Sequence, residues 1–179
     1  MSAFTPATAF QNVHPNTSTQ VSGEERSSAI DFVNRLNYLF EEFDTAKMLS
    51  CFLPDAVTHH FHGTIHGHAE LEIFFRDEYP PAVPGVSRHA TNHIVDRDEE
   101  TGGVIVRYHN QLVRYAWPDD ANNIASSTST VTEGKDGLPG LWVWSPMIDR
   151  LKQTEDGWKI YGRVIGGSII NKKLSLETK

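Results

Sequence analysis

Five of the nine histidines of this 179-residue chain fall between positions 59 and 68. Imidazole is the side chain whose charge changes most readily near neutral pH, so Thr58-His59-His60-Phe61-His62, with His66 and His68 behind it, is a place to look for proton transfer. On a strand, alternate residues share a face. His60 and His62 then lie on one side and His59 and Phe61 on the other. Two readings of the cluster are open. Three imidazoles, from His60, His62 and either His66 or His68, would match the ligand count of a catalytic zinc site. The other, and the plainer, is a surface patch of histidines in a turn. There is no His-Glu-x-x-His pattern and no cysteine pair, so we expect no metal.

Nucleophilic chemistry has less support. Cys51 is the single cysteine. It lies between Ser50 and Phe52 in an apolar stretch, where a thiol is usually inert packing. No Gly-x-Ser-x-Gly elbow and no phosphate-binding glycine loop occur. Further along, alternation groups Tyr108 with Asn110, and His109 with Val113 and Tyr115. It also groups Ser145 with Met147 and Asp149, and Trp142 with Trp144 and Ile148. Arg163 comes late in the last strand, where it would meet an anionic substrate or pair with a surface carboxylate.

The chain is long enough for one domain with a core and too short for two ordinary ones. A net charge of −7 repels phosphate backbones, so a nucleic-acid partner is not expected. One cysteine cannot staple a secreted scaffold. No basic-then-apolar leader opens the chain, and no apolar run reaches the roughly 18 residues of a membrane span. A cytoplasmic setting without membrane association is the expectation. Residues 1–21 are rich in Ser, Thr, Asn and Pro and are expected to form a flexible arm. The alternative is an arm anchored by Phe4, Phe10 and Val13 on a partner subunit.

Ser22-Gly23-Glu24-Glu25 fits a capping box. After it, Ile30, Val33, Leu36, Leu39, Phe40 and Phe43 recur at helical spacing, which predicts a helix ending near Phe43 or Asp44. A second helical turn is expected over Thr45–Phe52, with Pro54 as its stop. Ala56–Phe61 reads as a strand, Gly67–Arg76 as a short helix, and the proline-rich run Tyr79–Gly85 as a rigid loop. Strands follow at Arg88–Asp96, Val104–Trp117, Leu141–Lys152 and Trp158–Ile165, the last two joined by a Glu155-Asp156-Gly157 turn. Residues 118–138 are polar and long for a connection; lid, extended hairpin and disorder are all open, with a strand in Ser127–Thr132 as one form. Helices first and strands last make an α+β domain with an antiparallel sheet. We assign it to residues 22–170, with a tail at 171–179.

Specific text accompanies that order: Phe43-Asp44 closing the first helix, Leu53-Pro54-Asp55-Ala56-Val57, Gly63-Thr64-Ile65-His66-Gly67-His68-Ala69-Glu70-Leu71, Ser87-Arg88-His89-Ala90-Thr91-Asn92-His93-Ile94-Val95, and Asp156-Gly157-Trp158-Lys159-Ile160. Together these resemble the SnoaL-like families of the nuclear transport factor 2-like superfamily, which include polyketide cyclases and scytalone dehydratase. The resemblance spans roughly residues 25–165. It implies a cone-shaped α+β barrel in which a curved antiparallel sheet wraps a long N-terminal helix around an apolar pocket. It also implies a homodimer, no cofactor, and dehydration, isomerisation or cyclisation of a hydrophobic small molecule in secondary-metabolite biosynthesis. The superfamily also holds non-catalytic binders and assembly subunits, so fold alone leaves the activity open.

The resemblance further implies site residues. Asp44 and His89 match a carboxylate that orients a catalytic histidine. Phe43 stands where that family has a tyrosine. The alternative for Asp44 is a plain helix cap. Tyr115 falls near a pocket histidine and would polarise a carbonyl, or else is an ordinary sheet aromatic. Phe61 falls at a pocket tyrosine, with His59 on the same face, and Ser145 at a pocket serine. Met147, Asp149 and Arg163 join them if their faces look inward. A one-residue slip in register would exchange His59 for His60.

Overall fold

Residues 4–125, 131, 133–135 and 137–176 are described in a computed structural model. The strand expected in Ser127–Thr132 lies outside them except for Val131, whereas the start of the 118–138 connection is described and is helical over Pro118–Ala125.

A single helical turn, α1 (Pro6–Ala9), precedes the long helix α2 (Gly23–Glu42). The capping box is present: Ser22 Oγ accepts the Glu25 N–H at 3.1 Å, and the Glu25 carboxylate accepts the Ser22 N–H at 2.9 Å. Ala29, Val33, Leu36 and Phe40 form the buried stripe, and large side chains such as Leu36 and Phe40 each stabilise the fold by roughly 2 kcal/mol. Phe43 ends the helix in the left-handed region, with φ 56°. The next helix, α3 (Thr45–Ser50), starts at once.

The strand β1 (Phe52–His60) begins earlier than the sequence suggests and contains Pro54, which therefore stops no helix. Its pairing with the last long strand is irregular between Phe52 and Val57, and a missing N–H is tolerated at such an irregularity. A tight turn leads to β2 (Gly63–His66) and α4 (Gly67–Ile73), which continues as a π-helical turn over Phe74–Glu78. The proline loop holds one 3-10 turn, Pro80–Ala82. Then come β3 (Val86–Arg97), β4 (Val104–Arg114), α5 (Pro118–Ala125), β5 (Gly140–Thr154), β6 (Gly157–Ile165) and the short β7 (Ile169–Ile170).

The strands form one sheet in the order β2-β1-β6-β5-β4-β3, with β7 beside β5. It is mixed, not wholly antiparallel, because β1 and β6 run parallel. Register shifts interrupt β3–β4, β4–β5 and β5–β6. Bulges of this kind bend strands and increase twist, and the sheet curves around α2 without closing. In β3 the extra residue lies between Thr91 and Ile94, and Asn92 is left-handed there, with φ 58°. Arg88 and Ala90 face the interior before it, and Val95 after it.

The outer face of the sheet is covered in part by the N-terminal segment. Ala9 is fully buried against Ile148 and Val164. Phe4 lies over the Arg150 guanidinium at 4.4 Å, with Tyr161 at 4.7 Å. Arg150 in turn makes a two-point ion pair with Asp98, at 2.8 and 2.9 Å. At the other end, Leu174 is buried, and its carbonyl accepts Arg114 Nε at 2.7 Å.

The cap carries a pH signature. Glu25 is lowered from 4.5 to about 2, first by the Ser22 N–H and then by Arg97. The folded value lies below the unfolded one, so this stabilisation is present above about pH 4.5 and is lost as pH falls towards 2. Urea unfolding of Ser22→Ala at pH 7 should show a loss of about 1 kcal/mol. The difference between wild type and Glu25→Gln should shrink across the acid window.

Candidate active site

Between α2 and the concave face of the sheet lies a cavity of about 230 Å³. Leu36 and Phe40 of α2, Phe52 of β1, Leu71 of α4 and Phe74 and Phe75 of the π-helical turn make its apolar wall. Phe40 and Phe75 meet edge-on, with centroids 5.5 Å apart, and Phe40 and Tyr79 at 5.1 Å. Such contacts hold an aromatic lining in place.

Its floor is polar. Asp149 is completely buried on β5. Arg163 on β6 stands directly opposite it in the ladder and donates Nε to Oδ1 at 2.6 Å and Nη2 to Oδ2 at 2.8 Å. Tyr108 on β4 donates its hydroxyl to Oδ2 at 2.8 Å. Burial raises the Tyr108 hydroxyl far above its ordinary value, and the Asp149 charge adds to this, so the phenol stays protonated. Burial alone would lower Arg163, but Asp149 overrides it and keeps the guanidinium charged. Nη1 of Arg163 has no protein partner among the described residues, and Arg163 lines the cavity.

Three lining polar atoms are buried and unpaired, Asn110 Oδ1 on β4, Thr58 Oγ1 on β1 and Arg88 Nη1 on β3. Ser145 shares a 2.6 Å hydrogen bond with Ser168. Buried polar atoms are rarely left unpaired in proteins, and a ligand in the cavity would satisfy these.

At the mouth, His60 and His62 line the cavity together with Glu78. The His62 N–H donates to His60 Nδ1 at 3.2 Å. An accepting Nδ1 assigns the His60 proton to Nε2. Burial, with a smaller effect from His62, lowers His60 from 6.5 to about 4, so it is neutral at pH 7. His62 Nδ1 lies 3.4 Å from the Glu78 carboxylate, which orients its ring with Nδ1 protonated and Nε2 free to accept.

The structure assembles only part of the set expected from sequence. Ser145, Met147 and Arg163 line the cavity, and Asp149 supports it from beneath. Asp44 and His89 are not brought together. Asp44 is the cap of α3, accepting the Lys47 N–H at 3.0 Å. His89 is exposed and bonds Ser87 Oγ at 2.9 Å, while its neighbour Arg88 takes the interior face. Tyr115 is past the end of β4, half-exposed and away from the lining, because residues 115 and 116 turn to donate their N–H groups to the Gly85 carbonyl. Phe43 stacks on Tyr79 at 6.1 Å behind the cavity wall. His59 points away from the cavity to Thr64 Oγ1, at 3.1 Å, and His60 takes the inward face, the alternative register. Phe61 borders the cavity but lies beyond the strand and is exposed. The zinc arrangement is not assembled either. His68 Nε2 donates to the Phe52 carbonyl at 2.9 Å, and no three His, Cys, Asp or Glu side chains converge among the described residues. Tyr108, Asn110 and Arg88 were not expected as lining residues, and His60 only as the register alternative to His59; the Tyr108/Asn110 alternation was the available signal for two of them.

A SnoaL-like domain model matches residues 22–164, four-fifths of the chain. The chain belongs to the SnoaL-like family. Solved structures agree in fold. A nuclear transport factor 2-like protein with a cystatin-like fold from Novosphingobium aromaticivorans superposes with TM-score 0.60 at 16% identity, over 80% of this chain and 81% of that one. A putative scytalone dehydratase from Novosphingobium aromaticivorans DSM 12444 gives 0.59 at 13%, over 83% and 88%. ActVI-ORFA from Streptomyces coelicolor gives 0.58 at 12%, over 78% and 93%. No curated protein matches the chain. No helix among the described residues is long and apolar enough to cross a membrane.

Two measurements probe this SnoaL-like site. Asp149→Asn leaves a buried guanidinium without its counter-ion and should cost about 3 kcal/mol or more in urea unfolding, whereas Asp149→Leu with Arg163→Met should recover much of that loss. For His60 the folded value lies below the unfolded one. Its contribution is therefore full above about pH 6.5 and falls away towards pH 4. Stability of His60→Gln should fall less steeply than wild type across that window.

Proposed function

We propose that the cavity is the active site of a cofactor-independent acid–base enzyme, a dehydratase, isomerase or cyclase, acting on a hydrophobic small molecule in secondary-metabolite biosynthesis. One observation carries this reading. A single aromatic-walled cavity is lined by two imidazoles with different proton assignments, by a guanidinium with a free N–H, and by an unpaired carboxamide.

His62 Nε2, with its ring oriented by Glu78, is the base that removes a proton next to a substrate carbonyl. The electron pair moves onto the carbonyl oxygen. Arg163 Nη1 donates to that oxygen as its charge develops, Asp149 and Tyr108 hold Arg163 in place, and Asn110 Oδ1 accepts from a substrate hydroxyl. Neutral His60 presents Nε2–H as a donor, for a second substrate oxygen or a leaving hydroxyl. Return of the proton from His62 to a hydroxyl gives dehydration. Return to another carbon gives isomerisation, and attack of the enolate on a second carbonyl closes a ring. None of these steps calls on a cofactor. The dyad works through His62 and Glu78 in place of His89 and Asp44. The relatives named as a putative scytalone dehydratase and as ActVI-ORFA support a small-molecule role by fold only. A homodimer and a cytoplasmic setting belong to the same reading, and exposed Leu141 and Ile169 offer apolar surface for pairing.

The test is solvent exchange. Aryl ketones that bind the protein are incubated with it in D2O, and deuterium uptake at the carbon beside the carbonyl is followed by NMR. Wild type should catalyse exchange, and His62→Gln should lower the rate about 10²-fold or more. An undiminished rate in His62→Gln removes the base assignment. Binding without exchange across the panel favours a non-catalytic binding protein.

A further inference from the structure

Arg88 is buried, 5% exposed, and borders the same cavity. Its guanidinium has no carboxylate partner among the described residues. Nε donates to the Tyr79 hydroxyl at 3.0 Å and Nη2 to the Ala82 carbonyl at 2.9 Å; both acceptors are neutral. Nη1 is buried with no hydrogen-bond partner. The group also lies over the Tyr79 ring, 5.3 Å from its centroid. The nearest carboxylate contact, from Glu41, goes to the Arg88 backbone N–H and not to the side chain. The other two charged residues of the lining are paired, Arg163 with Asp149 and Glu78 with His62.

A buried arginine stays protonated, and a buried charge is normally paired. Unlike Arg114, which is buried away from the cavity, Arg88 borders it, so an anion bound there would supply the missing negative charge. We propose that Arg88 recognises a carboxylate on the ligand, so that the substrate is a hydrophobic carboxylic acid. This rests on the reading of the cavity as a substrate site and adds the substrate's charge to it. The donor set favours a monoanion. Nη1 is the guanidinium nitrogen with no bond to the protein, and its N–H groups are unused. The Tyr79 hydroxyl accepts from Nε and so keeps its own O–H to donate, and Tyr79 also lines the cavity. One N–H and one O–H match the two oxygens of a carboxylate. Arg88 and Tyr79 are then specificity residues where the cavity meets the proline loop.

The test compares 2-naphthoate with 2-naphthamide, the same ring with and without the charge, by titration calorimetry at pH 7 on the full chain. Wild type should bind the acid about tenfold or more tightly than the amide, the change expected for a charge-assisted hydrogen bond. Arg88→Gln should abolish that preference while leaving amide binding in place. Tyr79→Phe keeps the ring and should narrow the preference several-fold, which provides a second reading if Arg88→Gln does not fold. Equal affinities in wild type, or a preference unchanged in the variants, overturn the assignment. Tight amide binding without acid preference overturns Arg88 recognition alone. Failure of both probes to bind counts against the substrate-site reading as well.

Discussion

The ion pair between Asp149 and Arg163 is the constraint on which the interior depends. Both groups lie where the surrounding side chains are apolar, so each would be costly without the other. Their positions are set by the ladder itself, since residues directly opposite on antiparallel strands bring their side chains together. Tyr108 arrives diagonally from the neighbouring strand, where its ladder partner is Met147. Three adjacent strands are thus tied through one carboxylate. A hydrophobic trio of equal volume would be at least as stable, but it would leave no positive charge aimed into the cavity.

The next residue in the chain repeats the device on the other face. Arg150 is paired with Asp98 and Glu100 and packed between Phe4 and Tyr161. Consecutive positions on β5 therefore carry opposite charges into opposite environments, one beneath the cavity and one beneath the N-terminal segment. The alternation of the strand keeps the two pairs from competing. It also explains why residues 4–21, polar as they are, have a surface to lie on: Ile148 and Val164 are the apolar neighbours of that outer pair.

Much of the frame was legible from residue order. The Ser22–Glu25 cap, the helical stripe after it and the four long strands follow from local patterning, which is decided by near neighbours. The site was less legible because it depends on parity. His59 and His60 are both reasonable pocket residues until the pairing of β1 is known, and a single step separates them. The same holds for Arg88 and His89, where the conspicuous imidazole lies outside and the arginine within. Asp44 illustrates a different limit: a carboxylate ending one helix and beginning another has a local use as a cap, and that use prevails. Tyr115 was misplaced because β4 ends at Arg114, three residues before the expected Trp117, where the crossing at Gly85 cuts it short. The pairing of Asp149 with Arg163 joins residues 14 apart through a hairpin, and neither local pattern nor composition announces it.

The extra residue of β3 near Asn92 bears on more than the shape of that strand. Upstream of it the inward positions are even-numbered and include Arg88; downstream they are odd-numbered and include Val95. It acts as a phase shifter between a cavity-facing half and a core-facing half. Each half of β3 can then change its inward residues independently of the other's numbering. Removing one residue there would leave an unbroken ladder against β4, with Val95 still inward and the local bend lost. Chain length in this one stretch therefore sets the curvature of the strand and leaves the order of its inward side chains intact.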